Sequence, residues 1–338
     1  MSATGTPPAR LPLFLTDDDV ESLADLPAAI DAIRSAYSAA TDHRRSPGRI
    51  FADSGREWMR VMPSIPASGK LFGAKSINGS FGDDGLRVSY LISLFDRDTA
   101  ELVALVDGNR VTGLRTAATT AVGTAEIIPN RPLTLGIIGS GFEAQSHTAA
   151  LALVARFASV RVFSPTAQNR EAFATRFTQE LGVTVTAVAS AEEAVRGADL
   201  VLCAARSHDE TPTVEAGWIG DDTTVVSIGS TTPGQRELPA DLIARAALIV
   251  ADGVDEVVHG SGDMLAARNA GVDIDDITVS LNDVLRRERI VDRDHGIRIY
   301  KSTGSGLQDL VVAESLVELA RQHGVGTELP VGIVTTRK

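Results

Sequence analysis

One cysteine, Cys203, stands in 338 residues, which excludes a disulfide framework and any cysteine-rich metal site. A basic excess is also missing: 32 Lys and Arg against 44 Asp and Glu leave a net charge of −12. Nucleic-acid binding needs a basic face to neutralise phosphates, so that partner is not expected, although a local basic pocket for a small anion stays open. No apolar run approaches the ~18 residues of a membrane span. The stretch Leu11 to Leu15, followed by Asp17, Asp18 and Asp19, is too short for a signal peptide. The expectation is a soluble, cytoplasmic protein with no membrane partner. There is no Gly-x-Ser-x-Gly nucleophile elbow. The histidines (His43, His147, His208, His259, His295, His323) share no metal-ligand spacing, so no metal is expected.

What is present suits a globular chain of about two domains, with 43% apolar and 22% charged residues. Residues 1–12 read as a loose arm. Thr16 with Asp19 suits a helix start, and the spacing Val20, Leu23, Leu26, Ile30, Ile33, Tyr37 predicts one helical face to about residue 42. Residues 48–107 read as short strands (Trp58–Met62, Lys70–Ser76, Val88–Phe95, Glu101–Asp107) between breakers that include Asn78-Gly79 and Asp83-Asp84-Gly85. Val111 to Ile128 reads as a helix. From Leu133 six apolar strand candidates alternate with helices such as Glu143–Phe157 and Arg170–Leu181, the pattern of a doubly wound parallel sheet. Residues 253–300 show no clear pattern, and the tail from Leu307 is helical again.

The first of those strands runs into Gly139-Ser140-Gly141-Phe142-Glu143-Ala144. Gly139 allows the tight turn, Gly141 lets a pyrophosphate approach the backbone, and Ala144 lets the helix lie close to the strand, its N-terminus facing the anion. This predicts dinucleotide binding. The second strand ends in Ser164-Pro-Thr166 with Arg170 beyond, and no acid stands there to read a ribose 2′-hydroxyl. Hydroxyls and a guanidinium suit a 2′-phosphate, so NADP(H) is preferred, with NAD(H) possible.

Two further motifs flank this loop, Val111-Thr-Gly-Leu-Arg115-Thr116-Ala-Ala and Tyr300-Lys301-Ser302-Thr303-Gly304 with Asp309 after it. With Met62-Pro63, Lys75 and Gly229-x-x-x-Pro233-Gly-x-x-Glu237-Leu, the chain resembles the ornithine cyclodeaminase/mu-crystallin family over nearly its whole length. The resemblance implies a homodimer of α/β fold. Residues 117–304 would form a Rossmann-like NAD(P) domain, and residues 1–116 with 305–338 a discontinuous α+β domain for substrate binding and dimerisation. It also implies that Arg49 and Arg115 hold a substrate carboxylate, and that Lys75 sits beside the reacting nitrogen for proton exchange. Thr116 and Ser302, Thr303 and Gly304 would touch the cofactor. Asp309 matches a family acid with a structural role.

Two departures from the family pattern narrow the reaction. Where cyclodeaminases place an Asp two residues before the proline, this chain has Thr231, whose hydroxyl stays protonated near neutral pH and cannot act as a base. Where ornithine-using members place a Glu, it has Arg60, which would repel a side-chain ammonium and favour a neutral or anionic side chain; an outward-facing Arg60 is the other possibility. The expected function is an NADP(H)-dependent ketimine reductase or amino-acid dehydrogenase acting on a small amino, imino or oxo acid, with an amine as a conceivable co-substrate. A lyase that recycles its NAD and a cofactor-dependent binding protein are the alternatives.

Overall fold

A computed structural model of the chain describes residues 11–40, 42–205, 207, 210–330 and 332–336. The arm expected at the N-terminus, up to residue 10, and His208 lie outside the described residues.

In chain order the elements begin with β1 (Leu13–Leu15), α1 (Asp17–Leu23), α2 (Leu26–Ser38), β2 (Ile50–Asp53) and β3 (Glu57–Ser64). They continue with β4 (Leu71–Gly82), β5 (Gly85–Asp96), β6 (Leu102–Asp107), α3 (Gly108–Ala125), β7 (Leu133–Ile138), α4 (Phe142–Ala152), β8 (Phe157–Phe163) and α5 (Ala167–Leu181). Next come β9 (Val185–Ala187), α6 (Ala191–Val195), β10 (Leu200–Cys203), β11 (Thr224–Ser227), α7 (Ala240–Ala244), β12 (Ala246–Ala251), α8 (Val254–Gly260) and α9 (Gly262–Asn269). The chain closes with β13 (Thr278–Ser280), α10 (Leu281–Leu285), β14 (Ile297–Lys301), α11 (Gly306–His323) and β15 (Thr327–Glu328).

Two units result: Met1–Ala36, Thr41–Arg115 and Gly306–Lys338 in the first, Tyr37–Ala40 and Thr116–Ser305 in the second. The end of α2 belongs to the second unit because Tyr37 is buried there, its hydroxyl donating to the Asp252 carbonyl at 2.9 Å.

The first unit is a seven-stranded mixed sheet, β15-β1-β6-β5-β4-β3-β2, antiparallel except for the parallel β1–β6 pair. Helix α11 packs across β3, β4 and β5. Its first residue is glycine for a reason: a Cβ on Gly306 would stand 2.5 Å from the Met62 carbonyl oxygen. The expected N-terminal capping box is present, with the Thr16 hydroxyl accepting from the Asp19 amide and the Asp19 carboxylate from the Thr16 amide. The single helix expected to residue 42 is instead two. Asp25 accepts from the Ala28 amide at 2.9 Å and so starts α2 afresh, with Pro27 in its first turn. Asn78-Gly79 does not break β4 either. Gly79 stands opposite Trp58, and the absent Cβ makes room for an indole ring that would otherwise lie 2.1 Å from it.

The second unit is an eight-stranded sheet, β13-β12-β14-β11-β10-β7-β8-β9, parallel throughout. The six strands expected from Leu133 onward are joined by β13 and β14 from the stretch with no clear pattern. Strand β14 hides in the sequence because it contains Arg298 and Lys301, both at most 1% exposed. The β7-to-β8 connection runs one way and β10 lies on the other side of β7. The strand order therefore reverses at the β7/β10 crevice, the place where doubly wound sheets bind ligands. The protein is an α/β fold with a Rossmann-like parallel sheet and a second, mixed sheet. Among the described residues no helix is long and apolar enough to cross a membrane, and no cluster could hold a metal ion.

Candidate active site

Strand register assembles a polar cluster within the first unit. Met62, Lys75, Ile92 and Val106 stand opposite one another in one cross-strand row, and residues in a row share a face. Arg49 directly precedes β2, next to the Ile50–Val61 pair, and its charge acts on Lys75. The next row is Phe51, Arg60, Ile77 and Tyr90. Arg60 thus shares the Lys75 face instead of pointing outward, with its guanidinium 5.9 Å from the centre of the Phe51 ring.

Lys75 is completely buried. Its Nζ donates to Thr112 Oγ1 at 2.6 Å and to Asp309 Oδ1 at 2.9 Å, and lies 5.4 Å from the centre of the Tyr90 ring. Burial pushes its pKa down to about 8; Asp309 resists that by favouring the ammonium, while the charges of Arg115 and Arg49 push it further down. Thr112 and Arg115 are three apart on α3 and so share a helix face. Arg115 Nε donates to Asp309 Oδ1 at 3.0 Å and Nη1 to Gln308 Oε1 at 2.8 Å. One carboxylate oxygen therefore serves both cations. The other, Asp309 Oδ2, is buried with no hydrogen-bond partner among the described residues. Removing either cation would leave a buried charge short of compensation, which is costly. Asp309 is thus a positioning residue: it holds Lys75 and Arg115 at one fixed point.

The second unit carries the expected dinucleotide loop at its own β7/β10 crevice. Gly139 has φ +114°, and a Cβ there would stand 2.6 Å from the Ala204 carbonyl oxygen, so the turn requires glycine. A Cβ on Gly141 would meet nothing within 4 Å, and Gly141 begins α4 without a side-chain cap. These are an open cradle and a helix N-terminus of the kind that takes a pyrophosphate. Ala144 is fully buried under α4. Phe142 is exposed, and the Glu143 carboxylate lies 3.5 Å from His147 one turn on. At the end of β8, Ser140 Oγ donates to Ser164 Oγ at 2.8 Å, and Arg170 donates to the Ser164 carbonyl at 2.9 Å. Thr166 is exposed and begins α5; Thr116 is half-buried in α3. The residues present fit a dinucleotide.

Ser302, Thr303 and Gly304 follow β14 and are organised by Asp252, at the end of β12. Its carboxylate accepts from Ser302 Oγ at 2.7 Å and from the Thr303 and Gly304 amides at 3.1 and 2.8 Å. Thr231 Oγ1 and N both donate to Gln235 Oε1. The next carboxylate along the chain, Glu237, is turned into the core, where Oε2 accepts from Ser227 Oγ and the Gly229 amide at 2.7 Å each. It cannot take the place of a base at Thr231. Nothing in the sequence marks Thr112, Gln308, Tyr90 or Asp252. Asp309 was marked only as an acid of the family pattern; its contact with both Lys75 and Arg115 comes from the fold.

The family profile of ornithine cyclodeaminases and mu-crystallins matches residues 11–324. The chain belongs to the ornithine cyclodeaminase/mu-crystallin family. Within it, the protein is an enzyme, an NAD(P)-dependent oxidoreductase. It is 32% identical over 242 residues to the iminosuccinate reductase of Paracoccus denitrificans, covering 71% of this chain and 73% of that one. Among solved structures it is similar to the Thermococcus litoralis Delta(1)-pyrroline-2-carboxylate reductase in complex with NADH and L-proline. The TM-score there is 0.84 at 26% identity, over 94% of this chain and 100% of that one. An archaeal alanine dehydrogenase dimer with bound NAD gives 0.84 at 25% identity, over 96% and 99%.

Proposed function

We propose that this family member is an NADP(H)-preferring oxidoreductase that interconverts small α-imino and α-amino acids. The observation that carries this reading is the buried Lys75–Asp309–Arg115 cluster, with the charge of Arg49 acting on Lys75. Arg115 and Arg49 take the substrate carboxylate, a planar anion that suits guanidinium forks. That fixes the α-carbon and leaves the substrate nitrogen beside Lys75. Two of the three Nζ donors are spent on Thr112 and Asp309, and the third serves the substrate. With a pKa of about 8, Lys75 is an ammonium at neutral pH and can still give up a proton. A nicotinamide cofactor, held by the Gly139–Gly141 loop and the start of α4, would supply the hydride chemistry. In the reductive direction an imine, the reduced cofactor and one proton give the amine and the oxidised cofactor. The relatives named above, two imine reductases and an amino-acid dehydrogenase, support this class of reaction.

The absence of an acid after β8, with Ser164, Thr166 and Arg170 in that place, supports NADP(H) over NAD(H). The outer face of the mixed sheet supports a homodimer: Ile50 (61% exposed), Met59 (46%) and Leu91 (37%) lie on the side opposite Lys75, and apolar surface of that kind suits a second copy. The cytoplasm is the proposed location.

The test is NADPH and NADH oxidation with small oxo acids plus ammonia or methylamine, and with cyclic ketimines. Substrate-dependent oxidation, faster with NADPH, is expected. Ornithine with catalytic NAD is expected to release no ammonia, since Thr231 offers no base. Ammonia release without net cofactor change would overturn the reductase reading.

A further inference from the structure

Resting on that reading of the Lys75 site, we infer that the substrate is a dicarboxylic amino or imino acid, and that Arg60 with Tyr90 forms the subsite for its distal carboxylate. The register carries the argument. Lys75 stands directly opposite Met62 on β3 and Ile92 on β5, so Arg60 and Tyr90 are diagonal neighbours of it, one on each side and both toward the same end of the sheet. Diagonal pairs on one sheet face are within reach of long and aromatic side chains, and the Lys75 Nζ is already 5.4 Å from the Tyr90 ring. The row that grips the α-carboxylate and the row that holds Arg60 are two residues apart, a step of about 7 Å. A side chain of one or two methylenes ending in a carboxylate bridges that step once the arginines lean in.

The chemistry of the second row is selective. Arg60 places a permanent positive charge where a substrate side chain runs, which repels an ammonium and attracts a carboxylate. Tyr90 adds a phenol able to donate to the same oxygen. Beyond Arg60 the row is closed by aromatic surface: the Phe51 and Trp58 rings are stacked at 6.1 Å, and the Trp58 indole occupies the space above Gly79. This wall limits the length of the side chain, and the Arg60 guanidinium rests over the Phe51 ring.

The experiment compares kcat/KM for NADPH-linked reductive amination with ammonia of oxaloacetate and 2-oxoglutarate against pyruvate and 2-oxobutyrate. It uses the full-length enzyme and its Arg60→Gln and Arg60→Lys variants. The wild type is expected to favour the dicarboxylates. That ratio should fall about 100-fold in Arg60→Gln, as expected for losing a charge-assisted pair, and recover in part in Arg60→Lys. A wild type that prefers the monocarboxylates, or a ratio unmoved by Arg60→Gln, overturns the inference while leaving the reductase reading intact. If no oxo acid with ammonia or methylamine and no cyclic ketimine is turned over, the reductase reading fails instead. Thermal-shift protection by succinate against propionate, in wild type and Arg60→Gln, then decides the subsite alone: equal protection by both acids sinks it, and protection by succinate that the variant loses upholds it.

Discussion

A lysine sealed away from water is held charged at neutral pH only while a carboxylate touches it. Burial drags Lys75 down to about 8, and Asp309 is the group that keeps it from falling further. In the proposed role Lys75 arrives as the ammonium in the reductive direction, so kcat/KM should fall as the pH rises through about 8; in the oxidative direction it would be neutral, and the rate should rise over the same range. Lys75→Met should lower kcat/KM by roughly 10²–10⁴-fold and abolish that limb in a pH profile. Asp309→Asn acts through Lys75 rather than on the substrate. It removes the opposite charge 2.9 Å from Nζ and should move the limb to lower pH by about 1–3 units. A purely structural role for Asp309 would lower activity without moving the limb. Arg115→Lys keeps the charge but loses the fork and should raise KM about 10–100-fold.

At the scale of elements, glycines show how strands and turns were placed. Gly79→Ala sets a methyl against the Trp58 ring and should cost about 1–3 kcal/mol by urea denaturation. Gly139→Val combines a φ of +114° with a Cβ 2.6 Å from the Ala204 oxygen. It should weaken NADPH binding, measured by fluorescence titration, and lower the melting temperature. Much of this level was legible in the sequence. The phosphate loop, the Thr16–Asp19 capping box and the Asp83-Asp84-Gly85 hairpin turn each depend on residues close in the chain. Asn78-Gly79 and β14 misled for the same physical reason. A glycine needed for a partner's indole looks like a turn, and a strand carrying buried Arg298 and Lys301 does not look apolar, because their partners are distant: Lys301 meets Asp263, and Arg298 meets the Asp222 carbonyl.

For the whole molecule, the exposed outer face of the mixed sheet predicts assembly. Leu91→Asp should convert the proposed dimer to a monomer in light scattering with size exclusion. An unchanged mass would rule out that face as the interface. The buried network of the second unit predicts how stability varies with pH. Burial is the main cause that raises Glu237 from an ordinary 4.5 to about 7, with Lys301 opposing it and Asp263 adding to it. Because the folded state holds this proton more tightly than the unfolded chain, the stabilisation is complete below about 4.5 and is lost as the pH rises through about 7. The unfolding free energy of wild type relative to that of Glu237→Gln should fall as the pH rises over that range.

The sequence by itself determined the family, the dinucleotide loop, the missing base at Thr231, and which cations to suspect, since each rests on a short run of neighbouring residues. The tertiary structure decided which of them act together. Lys75 and Asp309 are 234 residues apart in the chain, and Arg115 and Asp309 are 194 apart. The side of the sheet on which Arg60 stands depended on a strand register that a shift of one residue would have inverted. Proximity of that kind comes from pairing and packing across the whole chain, and burial, which sets the charge state of Lys75, exists only once the chain has folded.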